Sequence, residues 1–142
     1  MSDETRLPTC KALILCDRVI VDATTRHETY VNCFEKLRFH TFPHRLNHLI
    51  VVAHIEGGKG VYEFGIRIVR GATGEVAGED MGRPIQIDYL ADVGILTFNL
   101  YGVNLEEAGH YDAVFVANGE EIMRRSLNVV QLPAVHQELQ VA

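Results

Sequence analysis

The 142-residue chain has no tryptophan, only two serines (Ser2 and Ser126), four prolines and three cysteines. Each shortage closes off a class of function. With two serines and no G-x-S-x-G turn, a serine-hydrolase elbow is excluded. The cysteines Cys10, Cys16 and Cys33 form no C-x-x-C pair and are odd in number, so neither a zinc ribbon nor a disulfide framework is indicated. No apolar run exceeds the five residues of stretches such as Leu49–Ala53, which is too short to cross a bilayer. Met1-Ser-Asp-Glu-Thr-Arg is polar and unlike a signal peptide, so no hydrophobic leader is expected. Basic charge is scarce too. The formal net charge is −6, against the cationic face that nucleic acid or an anionic membrane requires. These readings predict a cytoplasmic protein, with its cysteines as small buried hydrophobes and with neither nucleic acid nor membrane as partner.

What the chain does contain is strand pattern. Tyr62, Phe64, Ile66 and Ile68 alternate with Glu63, Gly65 and Arg67, giving one apolar and one solvated face. Leu49–Ile55 is nearly all apolar and predicts a central strand covered on both sides. Leu13 to Ala23 reads as one bulged strand or two, and Thr29–Phe34 follows a turn at Thr24-Thr25-Arg26. Further strands are marked by Ile85, Ile87 and Tyr89, and by Leu96, Phe98 and Leu100. Asn118-Gly119, where both residues tolerate positive φ, predicts a tight hairpin turn between two alternating strands. No segment predicts a helix of ten or more residues; Asn104-Leu-Glu-Glu-Ala is at best one connecting turn. The expected fold is therefore all-β: an antiparallel two-layer β-sandwich of about seven to nine strands, immunoglobulin-like or C2-like. No repeat or linker divides the chain. It reads as one domain spanning 1–142, with an N-terminal tail over 1–9 and a C-terminal arm over 133–142.

Two resemblances attach to particular residues. Glu107-Ala-Gly109-His-Tyr111 resembles the tyrosine corner of immunoglobulin-like sandwiches, which implies a Tyr111 hydroxyl bonded to upstream backbone. This likeness covers Glu107 to Val129, with Ala113 where the second cysteine of antibody domains would stand. Cys16-Asp17-Arg18-Val-Ile-Val-Asp22, followed by Phe42-Pro43, is similar to a group of small uncharacterised bacterial proteins. That likeness implies no activity and assigns no functional residue.

Candidate chemistry is sparse. His40, His44 and His48 recur every four residues, a spacing that would gather three imidazoles for a metal on a helix, but Pro43 interrupts it. Asp17 and Asp22, with Asp88, Asp92 or Asp112, would have to converge to hold calcium, and no EF-hand loop is present. Gly57-Gly58-Lys59-Gly60 lacks the phosphate-loop pattern and leads into a strand. Cys16 and Cys33 lie in apolar strands, where burial would blunt a thiol. Arg124 and Arg125 fall on opposite faces of one strand and make no joint clamp.

The leading functional expectation is a non-catalytic interaction or assembly module without cofactor, its partner a protein and self-association foremost. It rests on two-faced apolar strands, above all Val114 and Val116, which the hairpin register turns outward as a candidate interface. A small-ligand or carbohydrate binder using Phe42, Tyr89 or Tyr101 is the alternative, and a metal-dependent enzyme built on His40, His44 and His48 is a third.

Overall fold

A computed structural model describes residues 7–88 and 93–133, with the side chain of Val93 left aside. Ten strands account for most of it: β1 (Thr9–Cys16), β2 (Arg18–Val21), β3 (Glu28–Val31), β4 (Lys36–Phe39), β5 (His44–Glu56), β6 (Gly60–Arg70), β7 (Val76–Ile87), β8 (Val93–Leu105), β9 (Gly109–Ala117) and β10 (Glu120–Gln131). No helix occurs among the described residues, and none is long and apolar enough to cross a membrane. The fold is an all-β sandwich. Its ten strands exceed the seven to nine expected, because Lys36–Phe39, where no strand was expected, forms β4. Asn104 and Leu105 also belong to β8 and not to a helical turn.

A three-stranded sheet ordered β1-β5-β8 packs on a five-stranded sheet ordered β4-β10-β9-β6-β7, and β2-β3 forms a separate hairpin. Among the described residues all pairings are antiparallel except β4 with β10, which is parallel and departs from the antiparallel expectation. The core between the layers takes Leu13, Leu15, Leu49, Val51, Phe98 and Leu100 from one sheet. Tyr62, Phe64, Ile66, Phe115 and Leu127 come from the other. Phe64 stacks on Phe115 at 5.5 Å between ring centroids, and Phe98 meets Phe115 edge-on at 6.0 Å. The first contact lies within the five-stranded sheet and the second joins the two layers, by apolar burial, the dominant favourable term in folding.

β5 is apolar on both faces, and both are covered from within the chain. Its outward residues Ile50 and Val52 form a second small core with Cys16, packed by Ile14, Val19 and Tyr30. The β2-β3 hairpin is thus a lid on the outer face of the three-stranded sheet. Asp17 breaks the long N-terminal apolar stretch into two strands, donating its N–H to Val31 O at 3.0 Å.

The closing hairpin follows the expected register. Asn118 and Gly119 take φ values of 52° and 81°, and Asn118 is pinned to Glu63 by a bond in each direction at 2.9 Å. Tyr111, Ala113, Phe115 and Ala117 face the core. The tyrosine corner is formed: Tyr111 Oη donates to Glu107 O at 2.8 Å, and the Glu107 carboxylate pairs with Arg70. A second tyrosine works similarly, since Lys59 N–H donates to Tyr62 Oη at 2.5 Å. Gly58, at φ +87°, lets this loop close: a Cβ there would lie 2.9 Å from Tyr62 Oη and 3.0 Å from Pro8 Cβ.

Candidate interaction groove

The edges of the two sheets decide which surface can take a partner, because an unpaired strand edge is a template for another chain. Both edges of the three-stranded sheet are capped in part, by side chains and by the backbone of Phe34. On β1, Leu13 O accepts from Arg125 Nη1 at 3.0 Å and Leu15 O from Phe34 N–H at 3.0 Å. On β8, Thr97 O accepts from Arg83 Nη1 at 2.5 Å, and Asn99 N–H donates to Asp80 Oδ2 at 3.1 Å. Arg83 and Asp80 reach β8 because β7 is irregular there: Phe64 pairs with Arg83 and Ile66 with Asp80, so Met81 and Gly82 together oppose Gly65, one residue more than the partner strand. The bulge also lays Met81 over Gly65, where any Cβ would collide with it. β7 is itself a blunted edge, bulged and carrying Pro84, which has no N–H to donate.

The β4 edge is different. Glu35 O accepts from Asn128 N–H at 2.9 Å and Phe39 O from Leu132 N–H at 2.8 Å, so alternate residues of β4 face β10. The backbone N–H and C=O groups of Lys36 and Arg38 therefore point away from the sheet. Among the described residues none of them meets a partner. They open into a groove of about 540 Å³ between β1 and β4, lined by Ile14, Leu15, Cys33, Phe34, Glu35, Lys36, Arg38 and Arg125. Arg125 is held to Glu35 and to Leu13 O. Lys36 and Arg38 are exposed and have no ion pair among the described residues, while Leu37 and Phe39 between them pack onto the core.

The residues singled out from sequence are scattered. His40 Nδ1 lies 2.9 Å from Pro133 O, and His44 stacks on Phe39 at 3.7 Å. His48 bonds Asn99 at 2.8 Å and stacks on Tyr101 at 4.8 Å. His40 lies in a bend and His44 and His48 on β5, with no helix between them, so the four-residue spacing gathers nothing. Among the described residues no group of three or more His, Cys, Asp or Glu is placed to hold a metal. The carboxylates are equally dispersed. Asp17 accepts from Asn32 and Asp22 caps a turn through Thr24 and Thr25 N–H, which holds its carboxyl below the usual range. Asp88 takes a bond from Gln86, whereas Asp92 lies outside the described residues.

Asp112 is 7% exposed on the outer face of β9, between His110 Nε2 at 3.0 Å and Arg124 Nη1 at 2.9 Å. Arg124 also clasps Glu121, which lowers the Glu121 carboxyl below its ordinary range. Val114 and Val116 do turn outward, yet they are only 6% and 4% exposed. The register sets Arg67 and Arg124 on either side of Val114, each tied down by Glu79 or by Asp112 and Glu121. Long basic side chains cover apolar neighbours in this way, leaving the two valines little area for a partner.

The aromatic candidates do not line one pocket. Phe42 packs against the core beside Phe39, Tyr101 stands 71% exposed on the outer face of β8, and Tyr89 lies outside the described residues. Burial raises the thiols of Cys10 and Cys16 above their ordinary value and keeps them protonated, whereas Cys33 is exposed at the groove. Sequence reasoning missed the groove, because Lys36, Arg38 and Arg125 carry no motif. The short alternation Lys36-Leu37-Arg38-Phe39 was the available signal.

A sequence profile for a family of unknown function, DUF6941, matches residues 11–130. The chain belongs to that family. The matched residues include most of both sheets, the lid hairpin and the residues that line the groove. No curated protein matches the chain. Among solved structures, a β-glucosidase from Listeria innocua in complex with isofagomine is similar at a TM-score of 0.42 and 10% identity. The alignment covers 89% of this chain and 17% of that one.

Proposed function

We propose that this DUF6941 chain is a non-catalytic protein-interaction module of immunoglobulin-like character, acting in the cytoplasm and binding its partner in the groove between β1 and β4. One observation carries this reading. The edges of one sheet are capped by Arg125, Phe34, Arg83 and Asp80 and β7 is blunted, while among the described residues the outward backbone groups of β4 have no partner and face a groove. β4 is short and carries exposed Lys36 and Arg38, which guard against indiscriminate pairing, so its uncapped backbone beside a groove favours a partner of matching charge. The free thiols of Cys10, Cys16 and Cys33 accord with a reducing compartment.

Self-association through Val114 and Val116 has less support, given their burial within the protomer. The test is a photo-crosslinking amino acid placed at Arg38 in the native host, with Thr73 in the β6-β7 turn as the control position. A discrete protein adduct at position 38 and none at 73 is expected. Equal labelling at both, or none at either, would overturn the reading.

A further inference from the structure

We infer that the occupant of the groove is an extended acidic segment of a partner protein, which adds to the five-stranded sheet as a sixth strand beside β4. The inference rests on the interaction reading above and specifies the partner's chemistry.

Three features of the groove converge. First, the outward N–H and C=O groups of Lys36 and Arg38 offer four backbone bonding positions along one edge. An extended peptide satisfies these in register, which neither a helix nor a rigid small molecule can do. Second, the cations at the groove are unevenly engaged. Arg125 is taken up by Glu35 and Leu13 O, whereas Lys36 and Arg38 project from one face of β4 without a counter-charge among the described residues. On a chain of net charge −6, two adjacent free cations beside an open edge select for an acidic strand. Third, Ile14 and Phe34 are half-buried and supply an apolar wall. A strand alternating acidic and apolar residues would set its acids toward Lys36 and Arg38 and its apolar side chains toward that wall, because successive side chains point to opposite faces. Nucleic acid fits less well: two cations are few for a phosphate backbone, and free backbone groups in strand register have no counterpart on it.

The test uses the intact chain and four probes: a capped heptapeptide alternating Glu and Val, the same peptide with Lys for Glu, the Glu peptide with a central proline, and a seven-nucleotide single-stranded DNA. Binding is read by backbone amide shifts and hydrogen exchange. The Glu peptide is expected to bind with a sub-millimolar Kd and to slow exchange of the Lys36 and Arg38 amides. The Lys and proline peptides should bind at least about tenfold more weakly. Lys36→Glu with Arg38→Glu, at exposed positions and checked for a native amide spectrum, should invert the preference toward the Lys peptide.

Equal binding of the proline peptide would overturn strand addition, and equal binding of the Lys peptide would overturn the acidic assignment. Tighter binding of the oligonucleotide, or no protection at Lys36 and Arg38 with millimolar peptide, would overturn the inference as a whole. A crosslinked adduct at position 38 in the native host together with a negative peptide result would leave the interaction reading in place and remove only the acidic strand.

Discussion

Replacing Arg83 by alanine tests whether side-chain caps hold the β8 edge closed. Its guanidinium donates to Thr97 O at 2.5 Å, lies 3.5 Å from Asp80 Oδ2, and sits 4.6 Å over the Phe98 ring. A hydrogen bond from a charged donor is worth ~1.5–3 kcal/mol. The contact over the ring adds ~0.5–1 kcal/mol at a partly exposed site. The Asp80 pair is long and contributes little. These contributions overlap, so about 2–3 kcal/mol is the expected loss, an apparent Tm lowered by roughly 6–9 °C for a domain of this size. Urea unfolding read by tyrosine fluorescence or circular dichroism measures it. Arg83→Lys retains the charge without the fork and should recover less than half. The substitution also frees Thr97 O, and Asp80 loses the partner that steadies its bond to Asn99 N–H. Arg83→Ala should therefore show concentration-dependent association by light scattering where the parent shows less. An unfolding free energy within ~0.5 kcal/mol of the parent, with unchanged association, would refute the capping argument.

Three further outcomes are expected. Tyr111→Phe keeps the buried ring but deletes the bond to Glu107 O, and should cost about 1 kcal/mol by denaturant titration, with Tyr111→Ala costing ~3–5 kcal/mol. Glu121 and Asp22 have folded carboxyls held below their ordinary values of 4.5 and 3.8, so each stabilises the fold above the unfolded value and loses that contribution as pH falls through the folded one. Unfolding midpoints followed down from pH 5 should fall, and Glu121→Gln should flatten the slope. In the other direction, the raised thiols of Cys10 and Cys16 contribute stability below pH 9.0 that is lost as pH rises through their folded values. A thiol reagent at pH 8 should accordingly label Cys33 rapidly, with Cys10 and Cys16 reacting only on unfolding.

The core was legible in the sequence where period and burial agree. Tyr62, Phe64, Ile66 and Ile68 alternate and face inward, and Asn118-Gly119 makes the turn its φ tolerance predicts. The tyrosine corner was readable because one local spacing fixes one hydrogen bond. β7 was legible only at its end: Gly78, Glu79, Asp80, Gly82 and Pro84 oppose strand propensity, yet these residues build the bulge that closes the neighbouring edge. The groove was hidden for a different reason. Lys36 and Arg125 are 89 positions apart in the chain and meet only because β4 runs parallel to β10, a pairing no local pattern encodes. The outward direction of Val114 and Val116 was legible, but periodicity gives the direction of a side chain and not what lies beside it: Arg67 and Arg124 flank Val114 from the neighbouring strands.

The most direct test of the account is amide hydrogen exchange on the isolated protein, resolved residue by residue along β4 and β8. An open β4 edge beside a capped β8 edge predicts fast exchange at Lys36 and Arg38. Leu37 and Phe39 should be protected by β10, and Asn99 by Asp80. Protection at Lys36 and Arg38 equal to that of Leu37 and Phe39, or an unprotected Asn99, would contradict it.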